Sequence, residues 1–138
     1  MGLGIRSKSE KNINLHSELY RQLGALHYGN ISKIELDKVR ENFNQAVKVL
    51  VETPTAPYLL QASNTAFEWA TLEMAYGDWS CGQTLADWAI RTVGDLPPIN
   101  PDFATYAAQY QSQKTRFVKR PGQPDQGCPK QQADWARS

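Results

Sequence analysis

The stretch from Thr55 to Gly77 is the most apolar part of the chain and has the clearest boundaries for a helix. Thr55 can cap a helix N-terminus, Pro57 suits a first helical turn, and Gly77 is typical of the left-handed residue that ends a helix. Apolar or small residues recur at three- and four-residue steps, at Leu59, Ser63, Ala66, Phe67, Ala70 and Met74. Tyr58, Trp69 and Leu72 widen the apolar surface beyond one stripe. A helix that is apolar most of the way round belongs in an interior, so we predict that the chain packs around this segment.

Helical patterns also occur on both sides of the central segment. A first helix is predicted from about residue 15 to 28, and a second begins at the capping box Ser32 to Glu35 and ends before Pro54. After Gly77, a fourth helix begins near Asp78, with Ser80 and Gln83 in capping-box relation, and closes at Gly94.

A fifth helix begins at the cap and first-turn proline Asn100-Pro101 and carries basic residues toward its end near Arg120. No stretch alternates as a strand would. We therefore predict an all-α fold, a single compact bundle of about five helices built from helical hairpins. The bundle would span 14–120, after a flexible basic arm over 1–13 and before a disordered or loosely docked polar tail over 121–138.

Length and composition place the chain among single-domain globular proteins. Its 138 residues are 41% hydrophobic and 21% charged, which is enough for a core without metal or disulfides. No run is long enough to span a bilayer, and the N-terminus lacks the apolar core of a signal peptide. We accordingly expect a cytoplasmic protein that does not enter a membrane.

The net charge of +1 conceals an uneven distribution. Residues 1–50 carry eight basic and five acidic groups, residues 51–103 carry one basic and seven acidic groups, and the remainder carries six basic and two acidic groups. This layout indicates either pairing within the chain or two faces for two partners.

Residues that could carry chemistry are few. Cys81 and Cys128 form no Cys-x-x-Cys pair, and we interpret Cys81 as a small packing residue, although the dipole of a helix N-terminus could activate its thiol. The sequence leaves open whether the two cysteines meet. Glu68 and Glu73 are five residues apart, a poor spacing for one helix face, and we interpret them as part of an acidic solvent face.

No pattern predicts a cofactor or a metal. His16 and His27 would stand roughly 16 Å apart on one helix, too far to share an ion. Glycine-rich phosphate loops, the Gly-x-Ser-x-Gly elbow and zinc-protease motifs do not occur. We therefore predict that the protein is not an enzyme. An enzyme that uses Cys81 or the Glu68/Glu73 carboxylates is the weakest of three hypotheses.

One local pattern resembles a known repeat family. Trp69, Glu73 and Tyr76-Gly77-Asp78, followed by Ala86 and Ala89, resemble the turn between the helices of a tetratricopeptide-type repeat. A similar set, around Leu23-Gly24, Tyr28-Gly29, Phe43, Ala46 and Pro54, precedes it by 48 to 49 residues. The resemblance implies a concave protein-binding surface. The family's period is about 34 residues, so two ordinary helical hairpins remain the interpretation we favour.

Two functions are consistent with the sequence. The first is a non-catalytic helical interaction or assembly module, a subunit of a larger complex, that binds a protein partner through Trp79, Asp78 and Trp135, since an exposed Trp is a suitable anchor. The alternative is a small helical subunit that binds RNA or DNA, by analogy with those of RNA-guided effector complexes. It would use basic residues near the chain ends, namely Arg6, Lys8, Lys11, Lys114, Arg116, Lys119 and Arg120.

Overall fold

The computed structural model describes residues 33–97, 101–130 and 132–137. Over this part of the chain the fold is an all-α bundle, as predicted, and the described residues form helices without strands. The helices are α1 (Lys33–Val51), α2 (Ala56–Tyr76), α3 (Trp79–Gly94), α4 (Pro101–Lys114) and α5 (Asp134–Arg137). The predicted arm over 1–13 and the first predicted helix lie outside the described residues.

Helix α2 is the central element of the described bundle. It packs against α1 on one side and α3 on the other, and α3 in turn contacts α4 and α5. Its side chains are buried on several faces, with Ala62, Ala66, Trp69 and Ala70 fully inaccessible. The extended apolar surface of this segment therefore places it in the interior, because each face meets a different neighbour.

The ends of α2 differ from expectation in their detail. Thr55 is the N-cap residue, but its side chain makes no capping hydrogen bond. Gly77 does not adopt the predicted left-handed conformation, since its φ and ψ are −129° and −131°. A Cβ at this position would lie 2.1 Å from Glu73 Oε1. The glycine is therefore required by close approach to the Glu73 carboxylate.

The next two boundaries also depart from the sequence prediction. Asp78, instead of Ser80, caps α3, and its carboxylate accepts a hydrogen bond from the backbone N–H of Cys81. Helix α4 ends at Lys114, well before Arg120. The chain then turns so that the Phe117 ring stacks on Phe67 with centroids 5.9 Å apart, and this packing stabilises a non-helical path.

The C-terminal segment packs against the bundle. Ala133 and Ala136 are buried, and the Trp135 ring lies 4.6 Å from that of Trp88 and 6.2 Å from that of Trp69. The described residues of 121–138, which were predicted to be disordered or loosely docked, thus lie against the bundle and contribute buried side chains to the core. Apolar burial of this kind is the dominant favourable contribution to folding.

Among the described helices, none has both the length and the apolar character needed to cross a membrane.

Candidate functional site

Glu73 lies in the interior, at the junction of α1, α2 and α3. Its carboxylate accepts hydrogen bonds from Arg40 Nη2 at 2.6 Å, Arg40 Nε at 2.8 Å, Trp69 Nε1 at 2.9 Å and the backbone N–H of Asp78 at 3.0 Å. Glu73 is fully buried, so its assignment to an acidic solvent face was wrong. The hydrogen bond to Glu73 is the largest of the effects that together raise the pKa of the Arg40 guanidinium above its ordinary value. The ion pair and the hydrogen bonds compensate the buried charge of Glu73, so we assign this residue a structural role.

Asp78 also has a structural role instead of the predicted partner contact. Its buried carboxylate accepts from the backbone N–H of Cys81 and of Gly127, both at 2.9 Å, and from that of Gln126 at 2.8 Å. These bonds tie the start of α3 to the loop that follows Pro124. The side chain has no free face to offer a partner.

Two further links fix the same loop. The buried Gln123 amide Nε2 lies 3.1 to 3.2 Å from the carbonyl oxygens of Glu73, Met74 and Gly77, at the C-terminal end of α2. Cys81 and Cys128 form a disulfide across 47 residues. Cys81 is fully buried in the core, as the interpretation of it as a packing residue implies, and the disulfide answers the question that the sequence left open.

The two predicted tryptophan anchors lie beside the C-terminal segment. Trp79 is half-buried, and its backbone N–H donates to the carbonyl of Pro124 at 2.8 Å. Trp135 is half-buried against the core, and its Nε1 donates to Asn44 Oδ1 at 3.1 Å. Asp78, Trp135 and the backbone of Trp79 thus hold the C-terminal segment to the bundle. The Asp78 carboxylate and the Trp135 indole N–H are used within the fold, whereas the half-buried Trp79 side chain stays a predicted anchor.

The predicted basic residues divide into paired and exposed groups. Lys114 pairs with Asp87, and Lys119 Nζ lies 3.2 Å from Asp125 Oδ2. Arg116 and Arg120 are exposed in the segment after α4. Arg6, Lys8 and Lys11 lie outside the described residues.

Two ion pairs among the described residues join the differently charged blocks of the sequence. Arg40 belongs to the basic first block and Lys114 to the basic last block, and each pairs with an acid of the middle block, Glu73 and Asp87 respectively. The uneven charge distribution is therefore explained in part by pairing within the chain. The acids in these pairs, Glu73 and Asp87, belong to the acidic block that was a candidate surface for a partner.

A groove between α2 and α4 is the feature that the fold does not account for. It encloses about 330 Å³, which lies at the lower end of the range of ligand sites. Helix α4 contributes two residues and α2 the rest, namely Gln61, Asn64, Thr65, Phe67, Glu68, Thr71, Tyr110 and Gln113. We refer to this set as the α2–α4 groove.

Tyr110 is the most unusual residue of the α2–α4 groove. Its ring stacks on Phe67 with centroids 4.6 Å apart, and its side chain is 94% buried. The hydroxyl is inaccessible to solvent and has no hydrogen-bond partner. Burial raises the pKa of Tyr110, and the charges of Tyr106 and Glu68 add to the shift. A buried hydroxyl without a partner is costly, so its retention calls for an explanation.

Glu68 supplies the charge of the groove. Its side chain lies on the open side of α2, and partial desolvation raises the pKa of its carboxyl above the ordinary value. Nearby polar side chains follow the same helix at steps of three and four residues, at Gln61, Asn64, Thr65, Glu68 and Thr71. This polar stripe on an otherwise apolar helix is the sequence signal that could have revealed the groove.

A second cavity of about 340 Å³ lies beside the docked C-terminal segment. It is lined by Asn44, Lys48, Val51, Glu52, Asp134 and Trp135. Within the described ranges, no group of three or more His, Cys, Asp or Glu side chains is placed to hold a metal ion.

No family model, curated protein or solved structure matches the chain.

Proposed function

We propose that the protein is a non-catalytic helical interaction module, which binds a segment of a partner protein in the α2–α4 groove. The observation that carries this proposal is the α2–α4 groove itself, a depression of about 330 Å³ whose wall consists mostly of polar side chains and includes one carboxylate, that of Glu68.

The composition of the groove supports a polypeptide partner. Its wall carries the side-chain amides of Gln61, Asn64 and Gln113, and an amide provides both donors and an acceptor. Peptide groups offer the complementary donors and acceptors.

Selection from a displayed library of random peptides tests the proposal, with a variant that fills the groove. Gln113 is exposed and lines the groove, so Gln113→Trp blocks it without touching the core. Gln111 is also exposed but lies about 200° away around the same helix, and Gln111→Trp is the matched control.

We expect selected peptides to bind the wild type and the Gln111→Trp variant alike, and to lose binding to the Gln113→Trp variant. Failure to select any peptide would contradict the proposal, as would peptides that bind the Gln113→Trp variant equally well.

Nucleic-acid binding is the alternative function, and one observation favours it. The segment 115–120 leaves the helix and presents Arg116 and Arg120 together with Val118, which is 76% exposed. Guanidinium groups bind phosphates, and binding of this kind weakens steeply with salt. Lys114 and Lys119 are already paired with acids, which leaves fewer free cations for the role than the sequence indicates.

Fluorescence anisotropy of labelled single-stranded RNA and duplex DNA, titrated at several salt concentrations, tests the alternative. Salt-sensitive binding that the double variant Arg116→Gln/Arg120→Gln abolishes would support it. Unchanged binding by that variant, or no binding at low salt, would remove segment 115–120 as a nucleic-acid site.

The location of the protein is also a proposal. The sequence favoured the cytoplasm, whereas persistent disulfides are typical of oxidising compartments. The Cys81–Cys128 bond therefore favours an oxidising compartment. Thiol labelling of the protein in its native cell distinguishes the two, because oxidised cysteines resist labelling until a reductant is added.

A further inference from the structure

We infer that residues 132–137, which we refer to as the latch, open as a unit while the rest of the bundle stays folded. The latch contains α5 and lies against α3 and α1. It supplies Asp134 and Trp135 to the wall of the second cavity, whose other residues belong to α1 or follow it directly. The latch is therefore the movable wall of that cavity, and it shares no residue with the α2–α4 groove.

Backbone strain in Ala133 disfavours the closed latch. Among the described residues other than glycine, only Ala133 has a positive φ, at 57°. A residue with a Cβ adopts this left-handed conformation at an energetic cost. The Ala133 side chain is fully buried, so docking against the bundle imposes the conformation. Strain of this kind persists only where surrounding contacts maintain it, and it is typical of switch regions.

Gln132, the neighbouring residue, carries a second cost of closure. Its Oε1 is inaccessible to solvent and accepts no hydrogen bond in the described structure. In an open latch the same oxygen would be hydrated, so opening restores hydrogen bonds that closure removes. Two adjacent residues thus disfavour the closed state, and neither cost applies when the latch is open.

The contacts that close the latch are concentrated on a few side chains. Asn44 Oδ1 accepts hydrogen bonds from the backbone N–H of Ala133 at 2.9 Å and from Trp135 Nε1 at 3.1 Å. Both bonds are lost when the latch moves away from this one oxygen, and so is the contact between the Trp135 and Trp88 rings. A helix of four residues is not stable by itself, so α5 depends on these contacts. We therefore expect one cooperative opening step.

The loop before the latch stays attached when the latch opens, because Cys128 is bonded to Cys81 of α3. Gln132 follows Cys128 by only four residues. An open latch therefore remains close to its seat, and the entropic cost of closing such a short loop again is small. The opening is local and reversible, and it uncovers Asn44 and one face of Trp88.

Native-state hydrogen exchange of the full-length protein, with its disulfide intact, tests the inference by NMR. The reporters are the backbone N–H groups of Ala133, bonded to Asn44, and of Ala136, bonded to the carbonyl of Ala133. The reference is the N–H of Ala70, in the buried middle of α2. We expect the two reporters to share one opening constant, about a hundredfold above that of Ala70. It should depend less on urea, since a local opening exposes less surface than global unfolding.

Substitution Gln132→Met tests the physical origin of the opening. It replaces the buried carboxamide by an apolar group of similar length, and should slow the exchange of both reporters about tenfold. Gln126→Met is the matched control. Gln126 is exposed in the loop before Cys128, so its variant should exchange like the wild type.

Three results would overturn the inference. Reporters that exchange no faster than Ala70, with the same urea dependence, would show that the latch opens only in global unfolding. Different opening constants for Ala133 and Ala136 would show that the latch is not a unit. Exchange in the Gln132→Met variant equal to that of the wild type would show that the buried Oε1 does not disfavour closure.

Discussion

The Arg40–Glu73 pair gives the sharpest prediction about the stability of the fold. Substitution Arg40→Met keeps an apolar stem of similar length but removes the cation that faces a fully buried carboxylate. Glu73 would lose its bonds at 2.6 and 2.8 Å and keep those from Trp69 and Asp78. Removal of one partner of a buried pair costs about 3–5 kcal/mol. This is a large share of the ~5–15 kcal/mol by which natural domains are stable.

A double-mutant cycle isolates the contribution of the pair. Glu73→Gln removes the charge but keeps an oxygen that can accept from the Trp69 indole N–H. Because the Arg40→Met/Glu73→Gln double variant buries no unpaired charge, it should be more stable than the two single effects combined predict, by about 2 kcal/mol. Urea unfolding of all four proteins, with the disulfide intact and followed by circular dichroism, measures the four free energies of unfolding.

Additive effects of the two substitutions, within about 0.5 kcal/mol, would refute this account of the pair. An Arg40→Met variant as stable as the wild type would refute it as well. Either result would mean that water or another group compensates the Glu73 carboxylate.

Three further predictions concern single features of the fold. Replacement of both Cys81 and Cys128 by Ser should lower the free energy of unfolding by about 4 kcal/mol, because the disulfide closes a loop of 47 residues. Calorimetry of the wild type and the double variant measures the difference, and an unchanged unfolding transition would contradict the prediction. Tyr110→Phe should leave the free energy of unfolding unchanged or raise it by about 1 kcal/mol, since it removes a buried hydroxyl without a partner. Urea unfolding measures the effect, and a clear loss of stability would show that the hydroxyl is bonded. Gly77→Ala should lower the free energy of unfolding by about 2 kcal/mol or more, because the new Cβ would lie 2.1 Å from the Glu73 carboxylate. A melting temperature equal to that of the wild type would contradict this prediction.

The helices between 33 and 114 follow from local sequence patterns. Apolar spacing predicted α2 closely, and Pro101 and Gly94 marked helix boundaries. These signals depend on residues close in sequence, so one sequence suffices to identify them. Local patterns failed where distant residues decide the outcome.

The C-terminal segment illustrates that failure. Its composition is polar, and nothing in 121–138 alone indicates that Gln123 meets the end of α2 or that Trp135 reaches Asn44. The sequence separation is 50 residues in the first contact and 91 in the second. The disulfide depends on the same long-range contacts, because loop closure brings Cys128 to α3.

The charged residues show a related limit. Glu68 and Glu73 look alike in the sequence, yet one lines an open groove and the other is fully buried. The burial of Glu73 depends on Arg40 of α1, 33 residues away, together with the nearby donors of Trp69 and Asp78. The groove was missed because its two walls, the polar residues of α2 and Tyr110 and Gln113 of α4, are brought together only in the folded protein.

The most direct test of the central claim is a map of amide chemical shifts in the full-length protein, recorded with the tightest peptide from the library selection. We expect the largest shifts to cluster at Asn64, Glu68 and Tyr110, along the α2–α4 groove. Shifts concentrated instead on segment 115–120, or around Lys48 and Trp135 at the second cavity, would contradict the claim that this groove is the binding site.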